Sequence, residues 1–361
     1  MHTRWLPGLV LGIGLLAQGA LAAPMQYTVV DLGALGAPTG TSEAFGLNDA
    51  GVVVGKAEPG DGTTHAFRWQ SGTMTDLGAG PAGRAEANDI SASGVACGLM
   101  ELGDPVWTAQ AHTWNLAGAA TPLGTLGGEW SEAYAINTGG HVVGAASTAA
   151  EDAHAFYWDG TRMTDLHPGG FESYAYGVND KGQAVGGWGN WNNDGGDPYT
   201  ACVWQSGSKR DLAGLGGTWA EAYDINEGGA AVGQAETGGK AYHAVVWDAA
   251  GPHDIHPAGA ESSLAYRINE AGQVVGTFNL AGATRRAFLW DGTGFYDLNA
   301  LIPAGSGWVL YDAWDINEDG WIVGYGASGD GVGRALLLAP EPATLVLVAA
   351  GGLVMLGRRR D

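Results

Sequence analysis

Cysteine, positive charge and long apolar runs are all scarce in this chain. Only Cys97 and Cys202 occur in 361 residues. Lysine and arginine total 16 against 38 acidic residues, for a formal charge of −22. That surplus argues against nucleic acid or an anionic lipid surface as a partner. It permits cation binding and favours solubility. The longest apolar stretch near the C-terminus, 343–356, is shorter than the ~20 residues of a comfortable membrane span. Catalytic signatures are missing as well. There is no Gly-x-Ser-x-Gly elbow, no His-Glu-x-x-His, no phosphate loop and no Cys/His zinc spacing.

What is present is a repeat. Aligning the chain on one position gives anchors at Asn48, Ser91, Asn137, Asn179, Asn226, Asn269 and Asn317, in steps of 42 to 48 residues. Repeats of that length belong to propellers, solenoids or arrays. Every copy has Ala four residues before the anchor, an aliphatic residue just before it, and Gly three and seven residues after it. Each copy reads as four short strands: Glu-Ala-x-x-Ile-Asn, a Gly-containing turn into Val-Val-Val-Gly, then His-Ala-Phe-x-Trp, then Met-Thr-Asp-Leu-Gly. The last copy stops after its third strand, at Leu338. An orphan fourth strand, 27–33, stands at the start. The two ends complement each other in a closed ring, which leaves few sheet edges. We read an all-β, seven-bladed β-propeller over residues 24–339, closed by the N-terminal strand. The Glu-Ala-x-x-Ile-Asn strands line its central channel. An open solenoid is the rival, although it does not explain the matched ends.

Both ends carry address-like segments. Residues 1–23 read as a signal peptide, with Arg4, an apolar stretch from Leu9 to Leu16 and a small-residue site at 20–23. At the other end, Pro340-Glu341-Pro342 precedes the apolar run and then Arg358, Arg359 and Arg360. This segment, 340–361, resembles the PEP-CTERM sorting signal of Gram-negative bacteria. The resemblance implies a short C-terminal transmembrane sorting helix, an exosortase-like processing protease as partner and transient anchoring in the inner membrane. The blades are similar to HAF repeats of bacterial extracellular proteins, as in Leu126 to Asn137 followed by His154-Ala155-Phe156-Tyr157-Trp158. Only His65, His154 and His243 keep the motif's first residue, and other copies have Gln110, Thr200, Arg286 and Arg334. The family implies location and architecture rather than a catalytic activity.

Three sets of residues are candidates for function. Glu43, Glu86, Glu132, Glu221 and Asp312 all lie five residues before an anchor. On an innermost strand they would form a ring able to hold Ca²⁺ through oxygen ligands, or else each would pair within its own blade. The fourth copy carries the longest departure from the repeat, 187–198. There Trp188, Trp191, Asn192, Asp194 and Asp197 combine stacking surfaces with polar groups suited to a carbohydrate or Ca²⁺. The recurring fourth-strand Asp (31, 76, 165, 211, 254, 297) is expected to make a structural hydrogen bond, between blades. Cys97 and Cys202 each replace a core hydrophobe and fall in non-neighbouring blades, so no bridge is expected. Together these features point to an exported surface or matrix propeller acting as a non-catalytic binding or structural module, with exopolysaccharide or another surface protein as partner. The alternatives are a polysaccharide hydrolase or lyase using channel acids such as Glu132 and Glu221, and a Ca²⁺-dependent adhesion module.

Overall fold

The repeat becomes seven antiparallel meanders, each of four strands. The computed structural model describes residues 25–36, 40–103, 108–167, 169, 171–190, 198–282 and 284–341. Over these the chain is all β apart from one 3₁₀ turn, Leu298–Ala300. The first strands of the seven units are Thr41–Leu47, Ala85–Ile90, Gly127–Ile136, Glu172–Val178, Gly216–Ile225, Ala260–Ile268 and Val309–Ile316. The other strands of each unit follow in chain order. The fourth and fifth units are joined into one eight-stranded sheet by a single parallel pair, Tyr199 with Trp219.

The ends meet. The N-terminal strand Tyr27–Asp31 pairs antiparallel with Gly333–Pro340, from Tyr27 opposite Pro340 to Asp31 opposite Leu336. It supplies the outer strand that the seventh unit lacks. The last strand therefore reaches two residues beyond Leu338 and takes in Pro340, one residue past the boundary expected at 339. Glu341 N donates to Gln26 O at 2.8 Å. The first strands touch one another in a complete cycle, with Val309–Ile316 returning to Thr41–Leu47. An open solenoid has no such contact. The expected signal peptide and residues 342–361 lie outside the described residues. Among the described residues no helix is long and apolar enough to cross a membrane.

The invariant residues now have causes. Gly seven after each anchor faces the first strand so closely that a Cβ there would overlap the carbonyl oxygen five residues before the anchor, as at Gly144 with Glu132 and Gly186 with Tyr174. Gly three after the anchor takes positive φ, +70° at Gly182 and +83° at Gly94, a conformation other residues adopt at a cost. The anchor asparagine does two jobs. Its Oδ1 caps the turn, accepting from Gln183 N at 3.0 Å in the case of Asn179. Its Nδ2 donates to the anchor carbonyl of the next unit: Asn179 to Asn226 O at 3.1 Å, Asn269 to Asn317 O at 3.1 Å, and Asn317 back to Asn48 O at 3.4 Å. These bonds run around the ring.

The apolar core is divided among the junctions between units. Cys97 and Ala111 of the second unit, for example, pack with Ala133, Ile136, Val142 and Phe156 of the third. Cys97 and Cys202 are buried and free. The fourth-strand aspartates bond within their own units, not between units as expected. His65, His154 and His243 pair with Asp76, Asp165 and Asp254 at 2.9, 2.8 and 2.8 Å. Arg286 takes the histidine's place against Asp297 at 2.6 Å. Each such Asp also accepts the N–H two residues on, as Asp165 does from His167 at 2.8 Å, turning the chain towards the next unit.

Candidate functional site

Every first strand carries a β-bulge at the same place. In the fourth unit Ala175 pairs with Gly186 and Gly177 with Val185, leaving Tyr176 as the extra residue. The same shift singles out Phe45, Asn88, Tyr134, Tyr223, Tyr266 and Trp314. A bulge re-aims a side chain that regular pleating would direct elsewhere. Here it turns one side chain per unit into the central channel. All seven line a single cavity of about 270 Å³, together with Glu132 and Arg267.

Six of the seven are aromatic, and their rings form a chain around the wall. Centroids are 4.9 Å apart for Tyr134–Tyr176, 5.1 Å for Tyr176–Tyr223 and 6.3 Å for Tyr223–Tyr266. They are 4.2 Å apart for Tyr266–Trp314 and 5.7 Å for Phe45–Trp314. Asn88 fills the gap between Phe45 and Tyr134. Such tilted and edge-on pairs are favourable in themselves, so each ring supports its neighbours in the wall. Trp314 Nε1 is buried and has no hydrogen-bond partner, which is costly unless an acceptor arrives.

One residue further along, charge gathers near the axis. Arg267, of the sixth unit, interacts with Asp89, Asp224 and Asp315 of the second, fifth and seventh. Only a guanidinium close to the ring's centre can reach carboxylates from units so far apart. Its Nε lies 3.9 Å from Asp315 Oδ1. The aspartates also stitch units together. Asp89 Oδ2 accepts from Ile136 N at 2.8 Å, Asp224 Oδ2 from Ile268 N at 2.9 Å, and Asp315 Oδ2 from Leu47 N at 2.7 Å. Burial raises all three carboxyls, Asp315 to about 8, and Arg267 opposes the rise.

The five acids expected to form a cation ring do not converge. Glu43 pairs with Lys56 at 3.2 Å. Glu86 pairs with Arg84 at 2.9 Å and lies 3.6 Å from Lys56. Asp312 meets Arg285 at 2.5 Å. Glu221 is 1% exposed and is held by phenols, accepting from Tyr223 at 2.5 Å and Tyr199 at 3.2 Å. Among the described residues, no group of three or more His, Cys, Asp or Glu is arranged to hold a metal ion. Of the five, Glu132 alone lines the cavity. Its carboxylate has two long contacts, 3.3 Å from Asn88 Nδ2 and 3.3 Å from the Tyr134 hydroxyl. Burial pushes Glu132 to about 7, helped by the Glu86 charge. Burial also lifts Glu221 to about 7 and Asp312 to about 6. Desolvation, more than mutual repulsion in a ring, sets these values.

The long loop of the fourth unit is the other expected site. Trp191, Asn192, Asp194 and Asp197 lie outside the described residues. Trp188 does not line the central cavity. It donates from Nε1 to Asp211 Oδ1 at 2.9 Å, contacts His167 and Phe171, and carries the Lys209 ammonium over its ring. In this unit Thr200 replaces the motif histidine, and Asp211 takes the indole as partner instead. Of the residues expected to form a sorting motif, Pro340 and Glu341 sit in or beside the closing sheet. Pro342, Arg358, Arg359 and Arg360 lie outside the described residues.

Sequence reasoning missed the bulged aromatics, although aromatic residues recur in six of seven copies three residues before the anchor. It also missed Arg267 and its aspartates, which follow no regular pattern.

Residues 191–336, less than half of the chain, match a family described as a protein of unknown function (DUF3466). No curated protein matches the sequence. Among solved structures, the β-propeller domain of the Trilobed protease from Pyrococcus furiosus is similar in fold. Identity is 9%, coverage 83% of this chain and 97% of that one, and the TM-score 0.57. A puromycin hydrolase mutant complexed with PGG is 14% identical, with coverage of 87% and 56% and a TM-score of 0.56. YCF48 bound to D1 peptide is 12% identical, with coverage of 88% and 96% and a TM-score of 0.51. At these identities the likeness concerns the fold alone, and that fold is a β-propeller.

Proposed function

We propose that this chain is an exported seven-bladed β-propeller acting at the cell surface or in the extracellular matrix as a non-catalytic binding module, with exopolysaccharide as its partner. The aromatic cup carries this reading. Ring faces suit the C–H faces of sugars, and the cup is preformed, so little ordering opposes binding. A volume of about 270 Å³ falls below the ~300–1,000 Å³ of sites that enclose drug-sized ligands. It suits one sugar unit at a chain end. The HAF-like repeats, the signal peptide at 1–23 and the PEP-CTERM-like tail support an extracellular destination reached through an exosortase-like protease and transient inner-membrane anchoring.

The alternatives have less behind them. Glycoside hydrolysis by paired carboxylates needs two acids flanking one bond, ~5–9.5 Å apart. Glu132 lines the cup, but Glu221 is sealed behind phenols. A Ca²⁺-dependent role through the channel acids would need them to converge, and three of them are already paired with Lys56, Arg84 and Arg285; Asn192, Asp194 and Asp197, the other residues offered for that ion, lie outside the described residues. The test is a polysaccharide array probed with the purified full chain and with Tyr176→Ala and Trp314→Ala, with products analysed on the same samples. Binding that both variants abolish, without cleavage, is expected. Equal binding by the variants would remove the cup from the account, and released oligosaccharide would make the protein an enzyme.

A further inference from the structure

Charge narrows the ligand class. We infer that the aromatic cup takes an amino sugar, seating its protonated primary amine against Glu132 while the sugar ring stacks on the tyrosines and a ring oxygen or hydroxyl accepts from Trp314. This rests on the reading of the cup as a glycan site and specifies which glycan.

Three observations combine. The first is the state of Glu132. Glu43, Glu86 and Asp312 have basic partners, and Glu221 has one short phenolic donor, Tyr223 at 2.5 Å, besides Tyr199 at 3.2 Å. Glu132 has no basic side chain within ion-pair distance among the described residues. Its two hydrogen bonds, both 3.3 Å, are at the long end of the useful range. Its carboxyl is raised by burial, so a cation from outside would satisfy a group the fold leaves poorly served. The second is the ring wall. Aromatic faces carry negative quadrupoles that attract ammonium groups, and the tyrosine chain from Tyr134 to Tyr266 starts beside Glu132. The third is the buried Trp314 Nε1 without a partner. A simple alkylammonium, such as a lysine side chain, brings no acceptor for that N–H. An uncharged sugar brings the acceptor but no cation. An amino sugar brings both, on one rigid ring of the right size. The single positive group in the cup, Arg267, is matched by three aspartates and does not repel the ligand's charge.

The experiment compares glucosamine oligomers, N-acetylglucosamine oligomers and neutral glucan oligomers by calorimetry on the full chain. Expected is binding of the glucosamine oligomer on the order of 10- to 100-fold tighter than of its acetylated counterpart, the range of a charge-assisted hydrogen bond. Glu132→Gln, an isosteric change, should remove that preference while leaving weak stacking-driven binding of all three. Trp314→Phe should weaken every sugar and preserve the preference. Equal wild-type affinity for the three oligomers would overturn the amine assignment and leave a neutral-glycan site. Competition by a lysine peptide at the same potency would make the cup an ammonium site without sugar specificity and overturn the inference. Binding of none of the glycans would overturn both this inference and the proposed function.

Discussion

The sharpest test of the structure is the replacement of Arg267 by methionine. The two side chains have similar reach, so Arg267→Met removes charge and donors with little change in volume. The Arg267 side chain is 17% exposed and that of Asp315 10%, so solvent screens their attraction weakly. Arg267 lowers Asp89, Asp224 and Asp315, which burial alone would raise further. Removing the cation from beside buried carboxylates leaves them uncompensated, which typically costs ~3–5 kcal/mol.

That cost depends on pH, and its sign is defined. In the wild type the folded carboxyls bind protons more tightly than the ~3.9 of an unfolded aspartate. Their contribution to stability is full below that value and is lost as pH rises, through about 8 for Asp315. Without Arg267 the folded values rise further, so the loss becomes steeper and extends to higher pH. At pH 5 Asp315 is already protonated in the wild type, so its share of the cost is absent and the penalty is smaller. At pH 9 it should cost the full ~3–5 kcal/mol. Urea unfolding at the two pH values, followed by tryptophan fluorescence, reads the difference from the midpoints. Adding Asp315→Asn to Arg267→Met should recover about 1 kcal/mol at pH 9 and nothing at pH 5. A penalty that is equal at the two pH values, or larger at pH 5, would refute the axial placement of the guanidinium.

Other perturbations test the ring and its bulges. Gly186→Ala places a Cβ on the Tyr174 carbonyl oxygen and should cost more than ~3 kcal/mol or prevent folding, and an unchanged circular-dichroism melt would contradict the close approach. Asn317→Ala removes the bond that closes the cycle and a turn cap, for about 1–2 kcal/mol. Ser91→Asn, by contrast, should add the bond missing at the second junction and raise the melting temperature, whereas a fall would show that junction to be shaped differently. Glu221 has its folded carboxyl raised to about 7. Its contribution is therefore full below ~4.3 and lost as pH rises through 7, on the order of 3 kcal/mol. Glu221→Gln should flatten the stability–pH curve over that interval, and an unaltered slope would place the titration elsewhere.

How much of this was legible in the chain follows from what repetition preserves. The invariant Ala and Gly positions, with Asn at six of the seven anchors, announce one unit used seven times, because the close strand approach at Gly186 recurs within every unit and the shared bond at Asn179 recurs at six of the seven junctions. The spare strand at Tyr27 and the truncated last copy declare how the ends join. The His154–Asp165 type of pair was visible as recurrence, but not its direction. Only the antiparallel register of the third and fourth strands shows that both partners belong to the same unit.

The cup was hidden for a different reason. Strict alternation along a strand cannot say that Tyr176 leaves the pleat, because the bulge is a shift of register against the neighbouring strand and not a property of the tyrosine itself. The acids two residues earlier recur visibly, but their partners do not: Lys56 lies on the next strand of Glu43's own unit, Arg84 two residues before Glu86, and Arg285 in the unit before that of Asp312. Arg267 was harder still, since nothing in its own repeat distinguishes it until the ring brings Asp89 and Asp315 within its reach. The division is physical. Positions that build the ring are constrained identically in every copy, so they repeat. Positions that face the channel meet their counterparts from other units, so each can differ, and in this chain they do: six aromatics and one asparagine at the bulge, then three acids, one base and three small residues beside it. In a repeat of this kind the specificity of the channel lies in the departures between copies at the bulge and its neighbour, and the aromatic cup beside Glu132 is where those departures concentrate.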